Sequence, residues 1–215
     1  MSSKDAKFIP ALRFNILTPL YDFLINKFFR ERQFKEELVR QADIDGRYRI
    51  LDIGCGTATL TIMIKKAHPE AEVTGLDFDR KIIEIAEAKI QKEMIQITLV
   101  RGSSFEIPFP DGSFDRVFSS LMLHHLTTEH KYATAREVFR VLRPGGEFHV
   151  ADFAKPHNKL MYGVSQFTKM FEEVADNIRG MLPGIFAAAG FEPVRKTADY
   201  STLLGTVSLY KVVKP

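Results

Sequence analysis

From residue 49 onward the sequence alternates short apolar runs with longer stretches of helical periodicity, and this rhythm restricts the fold more than any other feature. Arg49-Ile50-Leu51-Asp52-Ile53 stops at Gly54, and residues 57–68 read as a helix that closes before Pro69. Glu72-Val73-Thr74-Gly75-Leu76 reads as a second strand, and Asp79 caps a helix reaching about residue 93. Residues 95–101 and 114–119 give a third and a fourth strand. Thr128 opens a helix to residue 142, which Pro144-Gly145-Gly146 ends before a fifth strand at 147–153. Strands joined through helices need crossovers, so neighbouring strands run parallel with helices on both faces. The rhythm then changes. A short helix at 182–189 precedes two strand-like runs, 191–197 and 203–213, with no helix between them. Only a hairpin spans that gap, which makes the last strand antiparallel. The expectation is an α/β fold with a seven-stranded, mostly parallel sheet.

Residues 1–46 read as a helical cap on a main domain at 47–215. In the cap, Leu17, Leu20, Tyr21, Leu24, Ile25 and Phe28 mark one helix face behind Thr18-Pro19, and a second helix spans 31–42. A segment at 155–180, carrying Met161, Tyr162, Phe167, Met170 and Phe171, interrupts the main domain. The 215 residues are 45% hydrophobic with 18 Phe, too apolar for a disordered chain. Thirty basic and 27 acidic residues interleave, as in Arg30-Glu31-Arg32 and Lys35-Glu36-Glu37. That pattern reads as a solvated helix face rather than a nucleic-acid stripe. One Cys excludes an internal disulfide and a thiolate-rich zinc site, and no His/Asp/Glu set has metal spacing. With no leader and no membrane-spanning run, the expectation is a cytoplasmic protein, peripheral membrane contact left open.

Open parallel sheets bind ligands beyond the carboxyl ends of their strands, where strand order reverses. The first strand here ends Asp52-Ile53-Gly54-Cys55-Gly56-Thr57-Ala58. Two glycines allow a sharp turn and close backbone approach, and the helix behind them offers unpaired N–H groups. A dinucleotide fingerprint would place a third glycine at 59, where this chain has Thr. An acid, Asp52, precedes the glycines instead, and a second, Asp77, ends the next strand in position to take ribose hydroxyls. A nicotinamide-dependent oxidoreductase is the rival enzyme, and a non-catalytic ligand-binding protein the rival of a different class.

Ile50-Leu51-Asp52-Ile53-Gly54-Cys55-Gly56-Thr57 resembles the first motif of class I S-adenosylmethionine-dependent methyltransferases. Gly75-Leu76-Asp77-Phe78-Asp79 is similar to their second strand end. Ile107-Pro108-Phe109-Pro110-Asp111-Gly112 resembles the loop before the fourth strand, and Arg140-Val141-Leu142-Arg143-Pro144-Gly145-Gly146 the turn before the fifth. The N-terminal Tyr21-Asp22 looks most like the ubiquinone/menaquinone C-methyltransferase relatives. The resemblance implies a Rossmann-like fold, S-adenosyl-L-methionine as cofactor and S-adenosyl-L-homocysteine as product. It implies that Asp52, Gly54 and Gly56 hold the methionine end, Asp77 the ribose and Phe78 the adenine. It extends the cofactor set to Cys55, Thr57, Ser103, Ser104, Phe105, Ser120 and Tyr21. Ser103 stands where the family often has an acid for the adenine amino group.

Methyl transfer needs water excluded, the acceptor held in line and, for many acceptors, a base. His124 and His125 follow the fourth strand and are the candidates, against a reading in which one packs and bonds backbone. Tyr21 reads as core or as a lid contact, His149 as a core histidine, and Cys55 as a small filler. Asp152 reads either as orienting an acceptor or as capping a loop. The aromatic and Met residues at 155–180, free of clustered Arg, suggest a roof over a small apolar or aromatic acceptor.

Overall fold

The computed structural model describes residues 31–168, 175–202 and 204–215. The helix expected at 17–29, with Tyr21, and the residues Met170 and Phe171 lie outside the described residues, as does the side chain of Phe167.

Helix α1 (Glu31–Arg40) leads into strand β1 (Arg49–Ile53), α2 (Thr59–Ala67), β2 (Glu72–Asp77), α3 (Arg80–Glu93) and β3 (Thr98–Arg101). Strand β4 (Phe114–Ser120), a 3₁₀ turn at Leu123–His125, α4 (Thr128–Val141) and β5 (Leu142–Phe153) follow. Helices α5 (Lys159–Thr168), α6 (Ala175–Arg179) and α7 (Leu182–Ala188) precede the hairpin of β6 (Val194–Thr202) and β7 (Gly205–Val213). The sheet order is β3-β2-β1-β4-β5-β7-β6, and β7 runs antiparallel to both its neighbours. Six strands are therefore parallel and one is inserted antiparallel, as the alternation requires.

Strand alternation splits the core in two. Leu51, Ile53, Val117, Phe148 and Val150 point to one side and pack with Val138 and Phe186. Ile50, Phe118, Ala151 and Phe153 point to the other, against Phe34 and Leu38 of α1 and Leu60 and Ile64 of α2. Fully burying a side chain such as Phe118 or Phe148 stabilises by roughly 1.5–3 kcal/mol, so the central strands anchor everything above them.

The boundaries differ from expectation where pairing is long-range. Strand β5 starts at Leu142, not Glu147, because the Pro-Gly-Gly segment pairs with the chain end: Gly145 N donates to Lys214 O at 2.8 Å and Lys214 N to Gly146 O at 2.9 Å. Helix α4 is capped by Thr127, whose side chain accepts from His130 N, rather than by Thr128. Strand β6 starts at Val194, since Phe191 turns inward against Phe139 and Phe148, and Pro193 has no N–H for a ladder. The cap face is also not fully solvated. Arg32 and Glu36 are exposed, but Glu31 and Lys35 are buried against the sheet.

Candidate functional site

Strand order reverses between β1 and β4, and both ends of that crevice carry polar side chains. Gly54 has φ +62°, and a Cβ there would lie 2.2 Å from Met122 Cγ, so only glycine admits the loop that follows β4. Cys55 N donates to Leu76 O at 3.0 Å. Gly56 N donates to Asp77 Oδ2 at 2.9 Å and Asp79 N to Asp77 Oδ1 at 3.0 Å, so one carboxylate ties the glycine loop to the start of α3. Burial pushes that carboxyl up, and the backbone donors pull it back only in part. Ala58, with φ +60°, takes a left-handed conformation that a side chain disfavours by roughly 1 kcal/mol. Thr57 is half-buried beside it.

Asp52 is 1% exposed, and its Oδ2 accepts from Thr61 Oγ1 of α2 at 2.7 Å. Burial pushes its carboxyl up to about 7, against the pull of Thr61 and of the Lys35 charge. Thr61 carries no motif, and Glu31 and Lys35, expected on a solvated helix face, are buried instead. Cys55 is buried and its thiol is pushed well above the ordinary value by burial, as befits a filler rather than a nucleophile.

Beyond β2 and β3 a groove of about 610 Å³ is lined by Phe78, Arg101, Gly102, Ser103, Glu106, Ile107 and Pro108. Phe78 is 45% exposed, with the Arg101 guanidinium 5.9 Å from its ring centroid and Arg101 Nε donating to Phe78 O. An exposed aromatic face over a groove, next to a carboxylate that also orders the glycine loop, fits a purine nucleoside. Ser103 lines the groove and accepts from Phe105 N at 3.3 Å. Its two neighbours go elsewhere. Ser104 Oγ lies 3.1 Å from Thr134 Oγ1 on α4, and Phe105 stacks on His130 with ring centroids 4.0 Å apart.

Across the loop lies a second set. His124 is 4% exposed, and its Nδ1 donates to Asp152 Oδ1 at 2.8 Å. Asp152, fully buried at the end of β5, also accepts from Leu123 N (2.8 Å), Phe153 N (2.7 Å) and Asn177 Nδ2 (3.1 Å). Burial pushes its carboxyl up, yet His124 and the backbone donors hold it below its ordinary value. Asp152 thus both caps the 3₁₀ turn and orients an imidazole. His125 is half-buried, its ring 4.1 Å from that of His124 at 40°. Ser120 Oγ and Asn177 Oδ1 are buried with no hydrogen-bond partner among the described residues. His149, three residues before Asp152 on β5, is a core histidine held by Gln41 and Glu147.

A family profile described as a methyltransferase domain matches residues 50–146. The demethylmenaquinone methyltransferase of Thermus thermophilus is 30% identical over 182 residues, 84% of this chain and 81% of that one. The demethylmenaquinone methyltransferase of Listeria welshimeri is 30% identical over 148 residues, 67% of this chain and 62% of the relative, so that match spans less than two thirds of its length. Among solved structures, phosphoethanolamine N-methyltransferase 2 of Haemonchus contortus, in complex with phosphomonomethylethanolamine and S-adenosylhomocysteine, has a TM-score of 0.77 at 16% identity. The likeness covers 96% of this chain and 59% of that one, and concerns the fold alone.

Proposed function

The chain belongs to the class I S-adenosylmethionine-dependent methyltransferases, and we propose that it methylates a small, apolar or aromatic organic acceptor. S-adenosylmethionine is the cofactor, and when bound it supplies a methyl group on a positively charged sulfur. On our reading Asp52 and the turn of Gly54, Cys55, Gly56 and Thr57 hold the methionine end. Asp77 takes the ribose hydroxyls, Phe78 packs on adenine, and Ser103 meets the adenine edge in the groove they line.

The observation that carries this reading is the His124–Asp152 pair, buried across the glycine loop from Asp77. His124 would take the proton that an acceptor hydroxyl or activated carbon loses as its bond to the methyl forms. Asp152 fixes the ring through Nδ1 and faces the positive charge that results. Both curated relatives are named for a quinone, which supports an aromatic ring as acceptor.

The test is transfer of labelled methyl from S-adenosylmethionine to a panel of phenols and quinols, beside phosphorylated and nucleic-acid acceptors. Label appearing in the apolar set supports the proposal; label only in the charged sets overturns it. Asp77→Ala should raise the dissociation constant for S-adenosylhomocysteine by roughly 10- to 100-fold, the loss of charge-assisted hydrogen bonds. Unchanged affinity in the folded variant removes the ribose assignment.

A further inference from the structure

We propose that Lys35, on helix α1, receives the carboxylate of the cofactor's methionine end, opposite Asp52, which takes its ammonium. The inference rests on the reading that the glycine loop holds that end.

The face of α1 turned to the sheet buries Phe34 and Leu38 completely, and on that same helix Glu31 and Lys35 are only 8% and 7% exposed. These two side chains, one turn apart, form an ion pair. Lysine is almost never buried for packing alone, and a buried ion pair generally stabilises no more than apolar residues of the same size. Retention of charge at this place therefore calls for a partner beyond the helix.

The surroundings indicate which partner. Asp52 lies in register with Phe118, and both point from the sheet to the α1 side, where Ile50, Leu60 and Phe118 form the cluster with Phe34 and Leu38. Thr61, from α2, bonds the Asp52 carboxylate. Lys35 is close enough for its charge to draw that carboxyl back down against burial. Ser120, two residues beyond Phe118 on the same strand face, has a buried hydroxyl with no partner among the described residues. Glu31 with Lys35, the Lys35 charge with Asp52, and Asp52 with Thr61 thus link charges of both signs beside an apolar cluster, and Ser120 lies on the same sheet face at the carboxyl end of β4.

A zwitterion explains that composition. An amino-acid end carries an ammonium and a carboxylate on one carbon, so a site with Asp52 alone would attract one group and repel the other. Lys35 removes the conflict. An ammonium has three donors, and holding Glu31 does not exhaust them.

The test compares two ligands by calorimetric titration of the full chain: S-adenosylhomocysteine and its decarboxylated analogue, 5′-adenosyl-3-thiopropylamine. The wild-type protein should prefer the intact ligand by about tenfold or more. The double variant E31Q/K35M removes both charges without stranding a buried carboxylate, and should bind the two ligands within about twofold of each other; K35R should restore most of the preference. E31Q/K35Q, which also leaves no stranded carboxylate, serves if that double variant does not fold, which thermal unfolding reports. No preference in the wild type, or an undiminished preference in the charge-free double variant, overturns the proposal. Asp52→Asn separates the two levels. If it leaves S-adenosylhomocysteine binding unchanged, the glycine-loop reading has failed; if it weakens binding while the Lys35 variants keep the preference, Lys35 alone has.

Discussion

Strand β5 contributes to two buried imidazole–carboxylate pairs, and their surroundings give them opposite characters. Midway along it His149 uses both ring nitrogens: Gln41 Nε2 donates to Nδ1 at 3.2 Å, and Nε2 donates to Glu147 at 3.0 Å. Glu147 is shared with Arg116 at 3.2 Å and Lys211 at 2.9 Å. Burial pushes the His149 imidazole down to about 4 against the pull of Glu147, and the Lys211 and Arg116 charges add a smaller push the same way. At the carboxyl end, Asp152 accepts from His124, from the backbone N–H groups of Leu123 and Phe153 and from the Asn177 amide, and the His125 ring is near enough to act on its charge. Among the described residues Asp152 forms no ion pair with a Lys or Arg, so on the proposed mechanism it is the His124 ring that its charge faces. Both rings are buried, and what differs is the rest of each carboxylate's company: two cations at Glu147, and neutral donors with a second imidazole at Asp152.

The largest effect that would break this contrast is on turnover. His124→Asn should lower kcat by roughly 10²- to 10⁴-fold, the usual range for a lost general base. Binding of S-adenosylhomocysteine should stay within about twofold. Asp152→Asn should lower kcat as well and move the acidic limb of the pH–rate profile, which a packing role would leave in place. If His125→Asn costs the activity and His124→Asn does not, the base is the half-buried ring, and Asp152 serves only to cap the turn.

The second effect is on folding. His149→Leu removes hydrogen bonds to Gln41 and Glu147 within the core, and should lower unfolding stability by about 1–3 kcal/mol in urea titration. Turnover per folded molecule should not change. Glu147 keeps Arg116 and Lys211, and Gln41 keeps Thr197 and Tyr210. Loss of kcat in the folded variant would erase the distinction between the two pairs.

How far the sequence discloses these features follows from the range of the interaction that creates them. The glycine turn, the Asp79 cap and the antiparallel last strand are written in residues adjacent along the chain or in the length of a gap. His149 reads as a core histidine because it lies inside an apolar run. The start of β5 does not read that way, since Gly145 and Gly146 are drawn into the sheet by Lys214 at the far end of the chain. The role of Asp152 is hidden for the same reason: its partners come from the turn after β4 and from α6. Glu31 and Lys35 look like an ordinary solvated i,i+4 pair until α1 is laid on the sheet. Ser104 and Phe105 follow Ser103 in sequence, but α4 takes them through Thr134 and His130.

The smallest effect sharpens the contrast through pH. The His149 imidazole, at about 4 in the native protein, stands near 6.5 when unfolded. Between those values the unfolded chain binds a proton that the native chain refuses, so its contribution is present above about 6.5 and is lost as pH falls towards 4. Asp52 runs the other way. Its native carboxyl, at about 7, keeps a proton that the unfolded chain releases above about 3.9, so stability is greatest at low pH and is lost as pH rises towards 7. Lys35 from α1, Thr61 from α2 and Asp77 from β2 surround Asp52; Glu147, Arg116 from β4, Lys211 from β7 and Gln41 surround His149. Asp77 is also raised by burial and His68 also lowered by it, so they add to the two slopes with opposite signs, whereas Glu137, Glu147, Asp152, Asp176 and Asp199 sit below their ordinary values and act at more acid pH. Across pH 5 to 6.5 the wild-type urea midpoint should therefore stay nearly level, while each variant exposes the opposite slope. His149→Leu should gain about 1–2 kcal/mol on acidification, and Asp52→Asn should lose about as much. A level midpoint in Asp52→Asn across this range would mean that His149 takes up its proton in the native state, and the core pair would then no longer differ from the pair at His124.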